Sequence, residues 1–201
     1  PPVTTTPEIS LVAPSTTTPA IPKQDSQSGT AVPATTQPPT PSGPVAALTG
    51  QSTTDEISRA AIVAKIDNAE AARPQAGINQ ADIVFESLVE GNLTRFAAIF
   101  HSQDAGSIGP IRSIRQGDFD LVSNLNYPLF VHSGGNSNVM SSLKDLQVVR
   151  ADLIQFPYVY LRDNNARPPH DLYSYSSGLY QHLGSQGNKP PALFSYRANG
   201  Q

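Results

Sequence analysis

The chain has 201 residues, no cysteine and a formal net charge of −3. The lack of cysteine excludes disulfides, thiolate catalysis and cysteine metal sites. The slightly acidic balance argues against a general nucleic-acid binder, which needs a basic face, and no run approaches the 18 or so apolar residues of a membrane span.

Residues 1–44 hold 11 of the 19 prolines together with 10 threonines and 5 serines, and only Glu8, Lys23 and Asp25 are charged there. A segment so poor in apolar surface cannot offset its ordering entropy. A disordered, extended Pro/Thr/Ser-rich tether of polyproline character is expected, with threonines that are candidates for glycosylation. Such tethers are commoner in secreted chains than in cytosolic enzymes. The chain opens directly in the tether, so either the protein is cytosolic or the numbering starts after a removed signal or anchor, and the tether favours an extracytoplasmic location. The remaining stretch, 45–201, is the size of one domain.

"AIVAKID" (61–67) reads as a buried strand that stops at Asp67-Asn68. In "ADIVFESLVEGNLTRFAAIFHS" (81–102), Gly91-Asn92 between two β-prone runs predicts a hairpin with a two-residue loop, in preference to a helix over 79–90 capped by Asn79. That loop sets Leu88 opposite Arg95 and Glu86 opposite Ala97. Alternation then puts Ile83, Phe85, Val89, Phe96, Ala98 and Phe100 on one face and gathers Glu86, Glu90 and Arg95 on the other. Farther on, Ser113 and Gln116 fit a Ser-x-x-Gln capping box, followed by Ile114, Asp118, Leu121, Val122 and Leu125 at helical spacing. "YPLFVHSGG" (127–135) predicts a strand running into a glycine turn, and Val139, Leu143 and Leu146 a second helix. The 158–162 stretch is strand-like, with a polar loop behind it, and Tyr175, Leu179, Tyr180 and Leu183 predict a third helix. Leu193, Phe194 and Tyr196 resemble the start of another strand, so more chain is expected to follow. The fold class expected is α/β: a mixed sheet with a β-hairpin at about 81–102 and about three helices.

Three segments carry candidate chemistry. In "GPIRSIRQ" the expected helix start carries Arg112 and Arg115, where positive charge is disfavoured unless an anion sits beside it. That anion is either a ligand phosphate or carboxylate, bound with Ser113 and the amides, or an internal partner among Glu86, Glu90 and Asp118. In "FVHSGGNSN", His132, Ser133, Gly134 and Gly135 offer a turn whose amides can nest an anion, or simply a turn beside a buried histidine. No Lys-Ser/Thr follows, so it is not a nucleotide P-loop. "RDNNARPPHDL" brings Arg162, Arg167, His170 and Asp171 into one polar loop. His101 and His182 stand apart as incidental. No ligand spacing for a metal is evident, although His132 with Glu86 remains open, and no cofactor motif is present. The folded part carries nine arginines against three lysines, and arginine is the side chain suited to forked recognition of carboxylate and phosphate.

With "AIVAKIDNAEAARPQAGINQADIVFESLVEGNLTRFAAIFHS", "IGPIRSIRQGDFDL", "LFVHSGG" and "RPPHDLY" in this order, the chain from about Leu48 resembles the YerB-like lipoproteins of Gram-positive bacteria, a family of unknown biochemical function. The matching positions are Ala72–Gln75, Glu90–Phe96, Gly109–Arg115 and Pro169–Tyr173. Asp171 departs from the pattern, which has Asn there. The resemblance implies a lipid-anchored protein on the outer face of the plasma membrane, with the tether lifting an N-terminal domain of the family and a second, C-terminal domain expected beyond it. It brings no substrate and no catalytic residue.

The expected function is extracytoplasmic binding of an anionic, phosphate- or carboxylate-bearing envelope component through Arg95, Arg112, Arg115, Arg162 and Arg167. Two alternatives stand beside it. One is an envelope-polymer hydrolase or transferase with Glu86 or Glu90 and His132 or His170 as an acid–base pair. The other is a protein-interaction scaffold for another envelope protein, in which the arginines only hold the domain together.

Overall fold

The computed structural model describes residues 43–196. The expected tether, apart from its last two residues, lies outside them.

The organising element is β1 (Ile62–Asp67), whose six residues are all buried because the sheet is covered on both faces. Its antiparallel neighbour β3 (Thr94–Phe100) pairs in turn with the edge strand β2 (Ile83–Leu88). On its other side β1 runs parallel to β4 (Leu129–His132), and β4 runs parallel to β5 (Val149–Asp152). The sheet order is therefore β2-β3-β1-β4-β5, a mixed five-stranded sheet. A separate ribbon pairs β6 (Tyr160–Arg162) with β7 (Leu172–Ser174).

Alternation along the strands divides the core in two. Ile62, Ala64, Ile66, Ala98, Phe100 and Val131 face the ribbon and α3 (Ser176–Leu183). Val63, Ala97, Ile99 and Phe130 face α1 (Asp118–Ser123) and α2 (Ser137–Ser142), which contribute Phe119, Val122 and Val139. Sequence reading anticipated this α/β class and the three helices; α2 is capped by Asn136, which accepts from the Val139 amide at 2.9 Å.

Three expectations are corrected, and two strands were not anticipated. The hairpin closes with a three-residue loop, Glu90-Gly91-Asn92, in which Gly91 and Asn92 both have positive φ and the Val89 amide reaches Leu93 O. This shifts the register by one, to Leu88 opposite Thr94 and Ser87 opposite Arg95. Arg95 then shares its face with Phe85 and Ala97, and Glu86 lies on the other face with Phe96 opposite. The expected capping box does not form. Residues 112–115 are extended and α1 begins only at Asp118, because the backbone of this segment is engaged by two strands. Two short strands, β5 and β7, had no period-2 run long enough to announce them. Finally, 193–196 make no strand; the Tyr196 hydroxyl bonds Leu48 O instead.

Candidate functional site

The β1–β4 pairing ends at Ala64 and Val131, and beyond it the segment 110–114 enters between the diverging strands. Asp67 N donates to Pro110 O, Arg112 N to Lys65 O, Ser133 N to Arg112 O and Ile114 N to Gly134 O, all at 2.8–3.1 Å. The crevice outside the carboxyl ends of parallel strands is where open α/β sheets bind ligands. Here the chain's own arginine segment occupies it.

Asp67, the last residue of β1, is the hub. Its buried carboxylate accepts from Ala69 N (3.1 Å) on Oδ1, while Oδ2 lies 2.8 Å from His170 Nδ1 and 2.9 Å from Arg112 Nε. A proton on Nδ1, facing Asp67, leaves Nε2 of a neutral His170 as the acceptor. The Arg112 contact is an ion pair without an aligned hydrogen bond, and Arg112 NH1 reaches Pro169 O only at 3.5 Å. Around the hub, Gln75 Nε2 donates to Asp67 O and to Asn68 Oδ1, and Asn68 Nδ2 donates to Glu86 and Thr94. Segments far apart in sequence thus meet at one turn.

The other arginines are more fully engaged. Arg115 forks onto Glu90 (2.6–3.0 Å) and also donates to Ile114 O. Hydrogen bonding from Arg115 holds the Glu90 carboxyl well below its ordinary value, at about 2. Arg95 NH1 donates to Ser113 O at 2.8 Å, so the expected cluster of Arg95 with Glu86 and Glu90 is replaced by separate pairings. Glu86 accepts from Thr94 (2.6 Å) and Asn68 on the far face of the sheet. Arg162 NH1 meets Asp171 Oδ2 at 2.6 Å, giving Asp171 a partner. Arg167 is exposed, with no side-chain hydrogen bond among the described residues.

His132 is fully buried, and burial lowers its pKa to about 4. Its Nδ1 accepts from Gly134 N at 3.1 Å, which consumes an amide of the expected anion nest. Strand alternation separates it from Ser133, whose hydroxyl lies 3.5 Å from that of Ser113. Gly135 is closed against Ile114, 3.2 Å from where a Cβ would sit. Thus His132 and Gly135 face packed protein, whereas a Cβ on Gly134 would meet open space.

Sequence reading missed Asp67 and Lys65, and weighed Asp118 only as an internal partner of the arginines. Lys65 is wholly buried and bonds Asp118 Oδ1 at 2.7 Å, while Asp118 Oδ2 accepts from Arg115 N. The available signal was a charged pair, Lys65 and Asp67, inside and at the end of an otherwise apolar strand.

Beside the hub lies a cavity of about 260 Å³ with Arg112, Arg162, Ser133 and Asp171 in its walls and Ile111 and Leu172 among its apolar surface. Among the described residues no group of three or more metal-ligating side chains is assembled, and no helix is long and apolar enough to cross a membrane.

The family described as protein of unknown function (DUF3048), N-terminal domain, matches residues 48–189. YerB of Bacillus subtilis (strain 168), whose name classes it provisionally as a lipoprotein, is 36% identical over 131 residues, 64% of this chain and 39% of its own length. The crystal structure of the YerB protein from Bacillus subtilis superposes with a TM-score of 0.67 at 30% identity, covering 73% of this chain and 53% of that one. The chain thus spans about two fifths to one half of the relatives it matches.

Proposed function

The chain belongs to the family of the DUF3048 N-terminal domain, and from that premise we propose that it is a membrane-anchored, extracytoplasmic domain that binds a phosphate- or carboxylate-bearing envelope component in the cavity walled by Arg112 and Arg162. The observation that carries this reading is the incomplete engagement of Arg112. Its one ion-pair contact lacks hydrogen-bond alignment and its other contact is at the distance limit, while it borders the cavity. A guanidinium so placed can turn donors to an oxyanion. Arg115, which is held by Glu90 and Ile114 O, positions the segment. The provisional naming of a relative as a lipoprotein supports the membrane anchoring.

Thermal unfolding in the presence of sulfate, phosphate, phosphomonoesters and short carboxylates tests the reading. An anion at a hundred times its dissociation constant stabilises the wild type by about 2.7 kcal/mol. The Arg112→Gln/Arg162→Gln variant loses that stabilisation and Arg115→Gln keeps it. Equal stabilisation of the double variant would place the anion elsewhere.

A catalytic reading rests on one further contact, His170 Nδ1 on the buried Asp67 carboxylate, an arrangement that orients a general base. If it holds, His170→Gln abolishes turnover of p-nitrophenyl esters or phosphates but leaves anion binding intact. Turnover unchanged in that variant rules the base role out.

A further inference from the structure

We infer that the ligand of this cavity is a zwitterion: an anionic group for Arg112 and, a few bonds away, an ammonium for Asp171. The inference rests on the anion-binding reading of the same cavity and adds what the second half of the ligand must be. Asp171 is buried, with its side chain 8% exposed, and it lines the cavity. Its Oδ2 is taken by Arg162 at 2.6 Å, but its buried Oδ1 has no hydrogen-bond donor among the described residues. A buried carboxylate oxygen without a donor carries a desolvation cost that an N–H from the ligand removes.

Charge balance points the same way. Arg112 stands against Asp67, and Arg162 against Asp171, so the two walls are formally neutral before His170 is counted. A simple anion would gain Arg112 but would sit beside Asp171 with that oxygen still unpaired, an arrangement that selects against it. A zwitterion satisfies both walls. Ser133 adds an adaptable hydroxyl, since its contact with Ser113 is at the 3.5 Å limit. The volume, about 260 Å³, is below the usual range for drug-sized ligands. That suits an amino acid or an aminoalkyl phosphate headgroup, two sources of the same chemistry.

The test is calorimetric titration of the whole chain with matched pairs: alanine against N-acetylalanine and propionate, and O-phosphoethanolamine against methyl phosphate. In the wild type the ammonium-bearing member binds about tenfold or more tightly than its partner, as expected for a hydrogen bond to a charged group. The pair that shows the difference identifies the source. In Asp171→Asn the ratio falls to about one. Wild-type binding of propionate or methyl phosphate as tight as that of the matched zwitterion overturns the inference and leaves the anion-binding reading standing. If no probe binds wild type at millimolar concentrations, both fall. Because the wild-type ratio alone decides, a variant that fails to fold does not shelter the inference.

Discussion

Lys65 sits in the middle of a strand with no solvent contact, and its stability depends on a single acid. Burial lowers its pKa, and the facing Asp118 charge opposes that shift. Asp118 itself divides its two oxygens between Lys65 Nζ and the Arg115 amide, so one carboxylate ties β1 to the arginine segment. Breaking such a pair from one side leaves an uncompensated charge in the interior, which is far more costly than replacing both members. Asp118→Ala is therefore expected to destabilise the domain by about 3–5 kcal/mol, measured by urea unfolding. Lys65→Met/Asp118→Leu should cost less than that single change, although it alters more atoms. A double variant as unstable as the sum of its single changes would mean that the pair is not coupled.

At the scale of elements, the hairpin and the arginine segment show what patterning can and cannot reveal. The Ile/Val/Phe alternation announces β2 and β3 correctly, because period 2 is a property of the strands themselves. The register depends on whether the loop holds two residues or three, and Gly91-Asn92 suits either. That one-residue difference moved Arg95 away from Glu86 and Glu90 and onto Ser113 O. Likewise Ser113 and Gln116 satisfy a capping pattern locally, yet tertiary pairing with β1 and β4 holds residues 110–114 extended. Of the candidate residues singled out in the sequence, Arg112, Arg162 and Ser133 line one cavity and His170 is not in its lining. Asp171 was read as a neighbour of Arg162 in one polar loop, but Asp67 only as a strand end, because its partnership with His170 across 103 residues of chain leaves no local trace. The segment also requires close packing at its start. A Cβ on Gly109 would stand 2.7 Å from Tyr173 Cδ1 and 3.0 Å from Leu172 O. Gly109→Ala is expected to cost about 1–3 kcal/mol through this overpacking. It should weaken anion binding more than a change of equal cost at an edge such as Leu88, as paired unfolding and titration measurements would show.

Across the whole molecule, the four sequence patterns shared with the YerB-like family reach a common place by different routes. Gln75 and His170 bond Asp67, Thr94 bonds Glu86 beside Asn68, and Arg112 pairs with Asp67 from the inserted segment. A site assembled from so many segments exists only while the entire sheet is intact, so its integrity follows global stability. That stability carries a proton dependence set by buried histidines. His132 has its pKa pushed down to about 4 by burial, with the Asp152 charge opposing, and burial also lowers that of His101. A histidine neutral in the native state but free to protonate near 6.5 when unfolded gives the unfolded chain the greater proton uptake between those two values. Stability therefore falls as pH drops from about 6.5 to about 4, and below 4 His132 adds no further loss. The contribution of His132 to this loss is about 2 kcal/mol by pH 5 and about 3 kcal/mol in full. Unfolding in urea at pH 7.5 and pH 5.0 should show wild type losing about 2 kcal/mol more than His132→Leu, which has no proton to take up. His101 and the carboxylates contribute alike to both proteins and cancel in the difference. Equal losses would mean that His132 is already protonated in the folded state at pH 5. Its Nε2, buried without a partner among the described residues, would then need an acceptor that none of them supplies in this structure.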